Sequence, residues 1–79
     1  MLTELEHAAK VAGVKQVRRA LAGGGAKKLF LAADADPRLT APLEELARQA
    51  GVPVERAESM KALGRACGIA VGAAVAAAV

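Results

Sequence analysis

At 79 residues the chain can fill one domain and no more, close to the lower size at which a single apolar core holds without staples, so residues 1–79 are read as a single domain. One cysteine, Cys67, excludes an internal disulfide and argues against a Cys-based zinc centre; no metal or cofactor is expected, and a reducing cytoplasm is the natural setting. The net charge of +3 is regional, because residues 7–33 hold Lys10, Lys15, Arg18, Arg19, Lys27 and Lys28 and not one Asp or Glu, which points to a polyanion as partner.

Thr3 and Glu6 have capping-box spacing, and a first helix is expected from about Glu4 to Ala12. Gly13 interrupts it, after which Val14, Val17 and Leu21 recur as the apolar stripe of a second helix, ended by Gly23, Gly24 and Gly25. The run from Leu29 to Ala33 is continuously apolar and of strand length, as for a strand covered on both faces. Asp34 to Leu39 reads as a loop, Thr40 as the cap of a third helix with Pro42 in its first turn, and Leu43, Leu46, Ala47 and Ala50 as its buried face. Gly51 suits the left-handed position after that helix.

Val52 and Val54 flank Pro53 in a short strand that the proline confines to an edge or a strand start. Ser59 can cap a fourth helix running to about Cys67, Gly68 stops it, and the apolar run Ile69 to Val79 reads as a final strand, too short to span a bilayer as a helix. Helices alternating with strands predict an α/β fold, a three-layer α/β/α sandwich around a small mixed sheet. Glu4 and Glu6 stand where a secretory signal would carry positive charge, so export is not expected, nor is a membrane partner.

Lys15, Gln16 and Arg19 lie at i, i+1 and i+4 at the start of the second helix, away from its apolar stripe. A helix N-terminus offers free N–H groups and a positive dipole end, and Gly13 lets a backbone approach; the cluster can hold a phosphate and read a base edge with the Gln16 amide. Lys28 extends the positive stretch. Ser59, Met60 and Lys61 form a second candidate, a hydroxyl, a flexible apolar side chain and a cation at a loop-to-helix junction.

Phe30, the sole aromatic, sits inside an apolar strand, which disfavours recognition of single strands by stacked rings. No catalytic constellation stands out. His7 reads as a surface or boundary residue, Cys67 as a small buried hydrophobe, Asp34 and Asp36 as loop and capping residues, and the glycine triplet lacks the residues of a P-loop.

Taken in order, Gly13-Val14-Lys15-Gln16 with Arg19, Leu29-Phe30-Leu31-Ala32-Ala33-Asp34-Ala35-Asp36-Pro37, and Glu58-Ser59-Met60-Lys61-Ala62-Leu63-Gly64 leading to Cys67-Gly68 cover nearly the whole chain. They resemble the kink-turn RNA-binding ribosomal protein family that includes archaeal L7Ae and eukaryotic L30e, most nearly its small bacterial branch, the YbxF type. The resemblance implies a non-enzymatic RNA-binding protein that recognises and stabilises a kink-turn, a sharply bent element with tandem sheared G·A pairs, ribosome-associated or ribosomal-protein-like. It implies contacts from Gly13, Lys15, Gln16 and Arg19 to the G·A pairs and their phosphates, a phosphate contact from Lys28, and a loop contact from Glu58, Ser59, Met60 and Lys61 to a flipped-out nucleotide. Many archaeal members have Asn-Glu where this chain has Lys15-Gln16; Gln16 still accepts a hydrogen bond but lacks a carboxylate's charge. The expected partner is a kink-turn in ribosomal RNA or a riboswitch, bound by a monomer. The alternative is a protein-interaction or assembly module of the same fold, its basic helix meeting an acidic protein surface.

Overall fold

A computed structural model describes residues 5–79. Among them three helices and four strands follow in the order β1 (Lys10–Ala12), α1 (Val14–Ala22), β2 (Lys28–Ala32), α2 (Pro37–Ala50), β3 (Val54–Ala57), α3 (Met60–Cys67) and β4 (Val75–Ala78). The sheet order is β1-β4-β2-β3, with β4 antiparallel to both of its neighbours and β3 parallel to β2. It follows that β1, β2 and β3 all point the same way. Each is succeeded by a helix, so the N-termini of α1, α2 and α3 emerge at one end of the sheet.

Side chains alternate across a strand, and β2 and β4 are apolar on both sides. Leu29, Leu31, Val75 and Ala77 pack against Val17 and Leu21 of α1 and Leu43 and Ala47 of α2. Phe30, Ala32, Ala57, Ala76 and Ala78 pack on the other face with Leu63 and Ala66 of α3 and with Leu5. Two covered faces make the three layers of the expected α/β/α sandwich. Phe30 is fully buried directly opposite Ala76, a large side chain against a small one, so a core short of rings still fills its volume.

A close backbone approach lies on the α3 side. Ile69 N donates to Gly64 O at 2.7 Å and Ala73 N donates to Met60 O at 3.0 Å, so the segment after α3 runs back along the helix toward its start. A Cβ on Gly64 would overlap the Cα of Gly72.

Three expectations change in position. Lys10–Ala12 is strand β1 rather than the end of a first helix: Ala12 pairs with Ala76 and Val79 N donates to Ala9 O at 2.9 Å, and this pairing along β4 overrides local helix preference. The chain is helical at Leu5 and Glu6, while Thr3, half of the anticipated capping box, lies outside the described residues. The third predicted helix, here α2, starts at Pro37 with Asp36 as its cap, because a carboxylate before a proline at the first helical position satisfies and pre-sets the turn better than Thr40, which is instead buried within the helix. Pro42 consequently lies in the helix interior. The apolar C-terminal run divides, with only Val75–Ala78 in the sheet. Pro53 does precede an edge strand, β3, and Ser59, Gly51 and Gly68 cap and terminate their helices as anticipated. Among the described residues no helix is long and apolar enough to cross a membrane.

Gly64→Ala must push α3 from Gly72 and should lower the unfolding free energy by about 1–3 kcal/mol in urea denaturation. Gly25→Ala, where a Cβ meets nothing, should change it by no more than about 1 kcal/mol. Equal effects at the two positions would contradict the close approach.

Candidate functional site

Backbone hydrogen bonds tie the converging strand ends together. Gly13 N donates to Val75 O at 3.2 Å, Ala32 N to Ala74 O at 2.9 Å and Ala33 N to Ala57 O at 2.8 Å. Gly13, the turn after Ala32 and the loop after Ala57 therefore share one end of the sheet, and with them the three helix starts.

Those three starts differ in chemistry. At α2 the Asp36 carboxylate accepts from Arg38 N at 2.9 Å, and the Arg38 guanidinium beside it holds the Asp36 carboxyl below its ordinary range. At α3 the Ser59 hydroxyl accepts from Ala62 N at 3.0 Å and the Asp34 carboxylate accepts from Met60 N at 2.7 Å. Both ends thus carry a carboxylate against the positive end of the helix dipole. The start of α1 has Gly13 as its cap residue, with no side-chain cap. Gly13 adopts φ 97° and ψ 147°, a region open essentially to glycine, so the uncapped N–H groups are presented on a backbone without a side chain in the way.

The cations divide the same way. Arg38 pairs with Asp36 at 2.9 Å, Arg48 with Glu45 at 3.2 Å, Arg56 with Glu44 at 3.1 Å and Lys28 with Glu55 at 2.8 Å. Among the described residues Lys15, Arg18, Arg19, Lys61 and Arg65 have no ion pair and no side-chain hydrogen bond. The paired cations sit on β2, α2 and β3; the unpaired ones just named sit on α1 and α3. Gln16 and Arg19 line, with Val11 and Ala20, a groove of about 240 Å³ between α1 and the edge strand β1.

Of the residues singled out from the sequence, Gly13, Lys15 and Gln16 share this end of the sheet with Glu58, Ser59, Met60 and Lys61, on the starts of helices that follow opposite edge strands, and Arg19 lies one turn further along α1. Glu58, Met60 and Lys61 are exposed, whereas Ser59 is half-buried and engaged as the cap. Lys28 does not join them. It lies at the opposite end of β2, about 13 Å away by strand length, its ammonium held by Glu55 and 5.4 Å from the Phe30 ring.

Two residues act elsewhere than their sequence suggests. Asp34, expected as a loop and capping residue of its own turn, fixes the start of α3 from 26 residues away, a contact that nothing local announces. Val71 is 94% exposed on the returning segment, beside the first turn of α3, although it belongs to a run read as buried strand. Gly68 and Gly72, bracketing that segment, are the signal that could have shown a turn there. His7 is exposed, and partial burial pushes the Cys67 thiol up, away from nucleophilic character.

The fold that carries this site is a known one. Residues 2–79 match the model of the Ribosomal protein L7Ae/L30e/S12e/Gadd45 family, and the chain belongs to it. It is 48% identical over 64 residues to an "RNA-binding protein" of Bacillus pumilus (strain SAFR-032), covering 81% of this chain and 78% of that protein. It is 47% identical, over the same shares, to "RNA-binding protein YbxF" of Geobacillus stearothermophilus, the branch its motifs resemble. Among solved structures, the "Giardia lamblia 15.5kD RNA binding protein" superposes with a TM-score of 0.90 at 32% identity, covering 98% of this chain and 68% of that one.

The Lys28–Glu55 pair has its own test. The ammonium of Lys28 is the chief cause holding the Glu55 carboxyl below its ordinary value, so the pair favours the folded state above that value and the benefit is lost as pH falls through the lowered one. Melting temperatures of wild type and Glu55→Gln should converge on acidification from neutral pH. A constant difference would show that the ion pair contributes nothing.

Proposed function

We propose that this chain is a non-enzymatic RNA-binding protein that recognises and stabilises a kink-turn, carried by ribosomal RNA or a riboswitch in the cytoplasm. The observation that carries the reading is that one sheet end holds both an uncapped helix start flanked by unpaired cations and a second turn bearing exposed apolar side chains. The names of its relatives support the RNA class.

The chemistry follows from the residues. The N–H groups after Gly13 and the charges of Lys15 and Arg19 suit phosphates, while the Gln16 amide both donates and accepts and so can read a base edge. An A-form duplex has a major groove too deep and narrow for side chains to read, so a helix tip requires RNA whose groove is locally widened, as at a sharp bend. A bend also expels bases from the stack. Met60 and Val71, 38% and 94% exposed, offer an apolar surface to such a base, whereas Phe30, fully buried, cannot serve as a stacking platform. Glu58 can accept from an exocyclic amine of the same base.

In a gel-shift comparison, the protein should bind a kink-turn RNA more tightly than a straight duplex of equal length. Lys15→Ala and Arg19→Ala should each reduce the steepness of the log–log salt dependence by about 0.7–0.9, and Gln16→Ala should narrow the preference for G·A pairs by about 1–3 kcal/mol. Equal affinity for both RNAs would refute kink recognition and favour the assembly-module reading or plain nonspecific electrostatics.

A further inference from the structure

From Ser59 to Val79 the chain carries two cations, Lys61 and Arg65, and no carboxylate. Both side chains are exposed, and among the described residues neither is paired. They stand one turn apart on the same face of α3. Between that face and the segment returning from Gly68 lies a groove of about 300 Å³ lined by Lys61, Arg65, Gly68, Ile69 and Ala70.

We infer that this groove carries the RNA strand leaving the bend, with Lys61 and Arg65 holding successive phosphates; the inference rests on the kink-binding reading and extends the contact surface beyond it. Three features direct it. The cations are displaced along the groove rather than converging on one point, which suits a chain of phosphates better than a single anion. The groove begins at Lys61, in the first turn of α3, and so opens at the sheet end where the candidate interface lies. Its far wall is glycine backbone, alanine and a half-buried isoleucine, a low apolar surface along which sugars can lie.

The test compares two kink-turn RNAs, one trimmed to the bend and one with both flanking arms extended, by fluorescence anisotropy across a salt series. With the extended RNA, Arg65→Ala should weaken binding about three- to tenfold and reduce the salt slope by about 0.7–0.9. Arg65→Lys should retain the slope, and the trimmed RNA should bind Arg65→Ala and wild type alike. Arg65 is exposed, so the variant is expected to keep its fold, which circular dichroism checks. A kink preference that persists while Arg65→Ala is silent on the extended RNA, or equally damaging on both RNAs, would overturn the groove alone. Absence of any preference for kinked over straight RNA would overturn the groove together with the reading beneath it.

Discussion

The burial of β2 and β4 on both faces is the constraint on which everything else depends. Leu29 and Leu31 require cover on one side and Phe30 and Ala32 on the other, so the chain must place helices above and below the same strands. With β1, β2 and β3 pointing one way, each helix has to begin where its strand ends. Three positive dipole ends are thereby gathered at one rim of the sheet, which is also where open α/β sheets bind their ligands. The site is a consequence of core packing, not an addition to it.

What separates one helix start from the others is the disposition of carboxylates. Asp36 and Asp34 occupy the starts of α2 and α3, and Glu44, Glu45 and Glu55 take up the cations of α2, β3 and β2. The start of α1 is left without an anion, and α1 and α3 are left with unmatched positive charge on opposite faces of the sheet. On the kink-turn reading proposed above, a bent polyanion would touch both across the shared sheet end, whereas a straight rod would not turn from α1 to α3. The Gly64 and Gly72 contact matters here because it seats the Val71 segment against α3, setting an apolar tip beside the cations.

The central fold was readable because its signals are strong and local. The continuous apolar run around Phe30 has the length of a covered strand and is bounded by turn residues, and Ser59, Gly51 and Gly68 mark helix ends through backbone chemistry that does not depend on distant residues. Where the reading slipped, a long-range partner decided the outcome. Residues 10–12 read locally as the end of a helix and become strand because β4 offers an edge; Asp34 is a loop residue until α3 arrives beside it. Lys28 looked like part of one basic stretch because sequence distance hides that a strand carries it to the far end of the sheet, where Glu55 waits. Val71 was concealed in a run of small apolar residues whose composition is the same in the turn and in the strand.

The most direct test is an amide-resolved NMR titration of the protein with a kink-turn RNA. The account predicts that signals of residues 13–19, 58–61 and 69–71 shift together at stoichiometric RNA, while those of Lys27, Lys28 and Ala78 at the opposite sheet end do not. Perturbation centred on Lys27, Lys28 and Ala78, with the α1 and α3 starts unmoved, would contradict it.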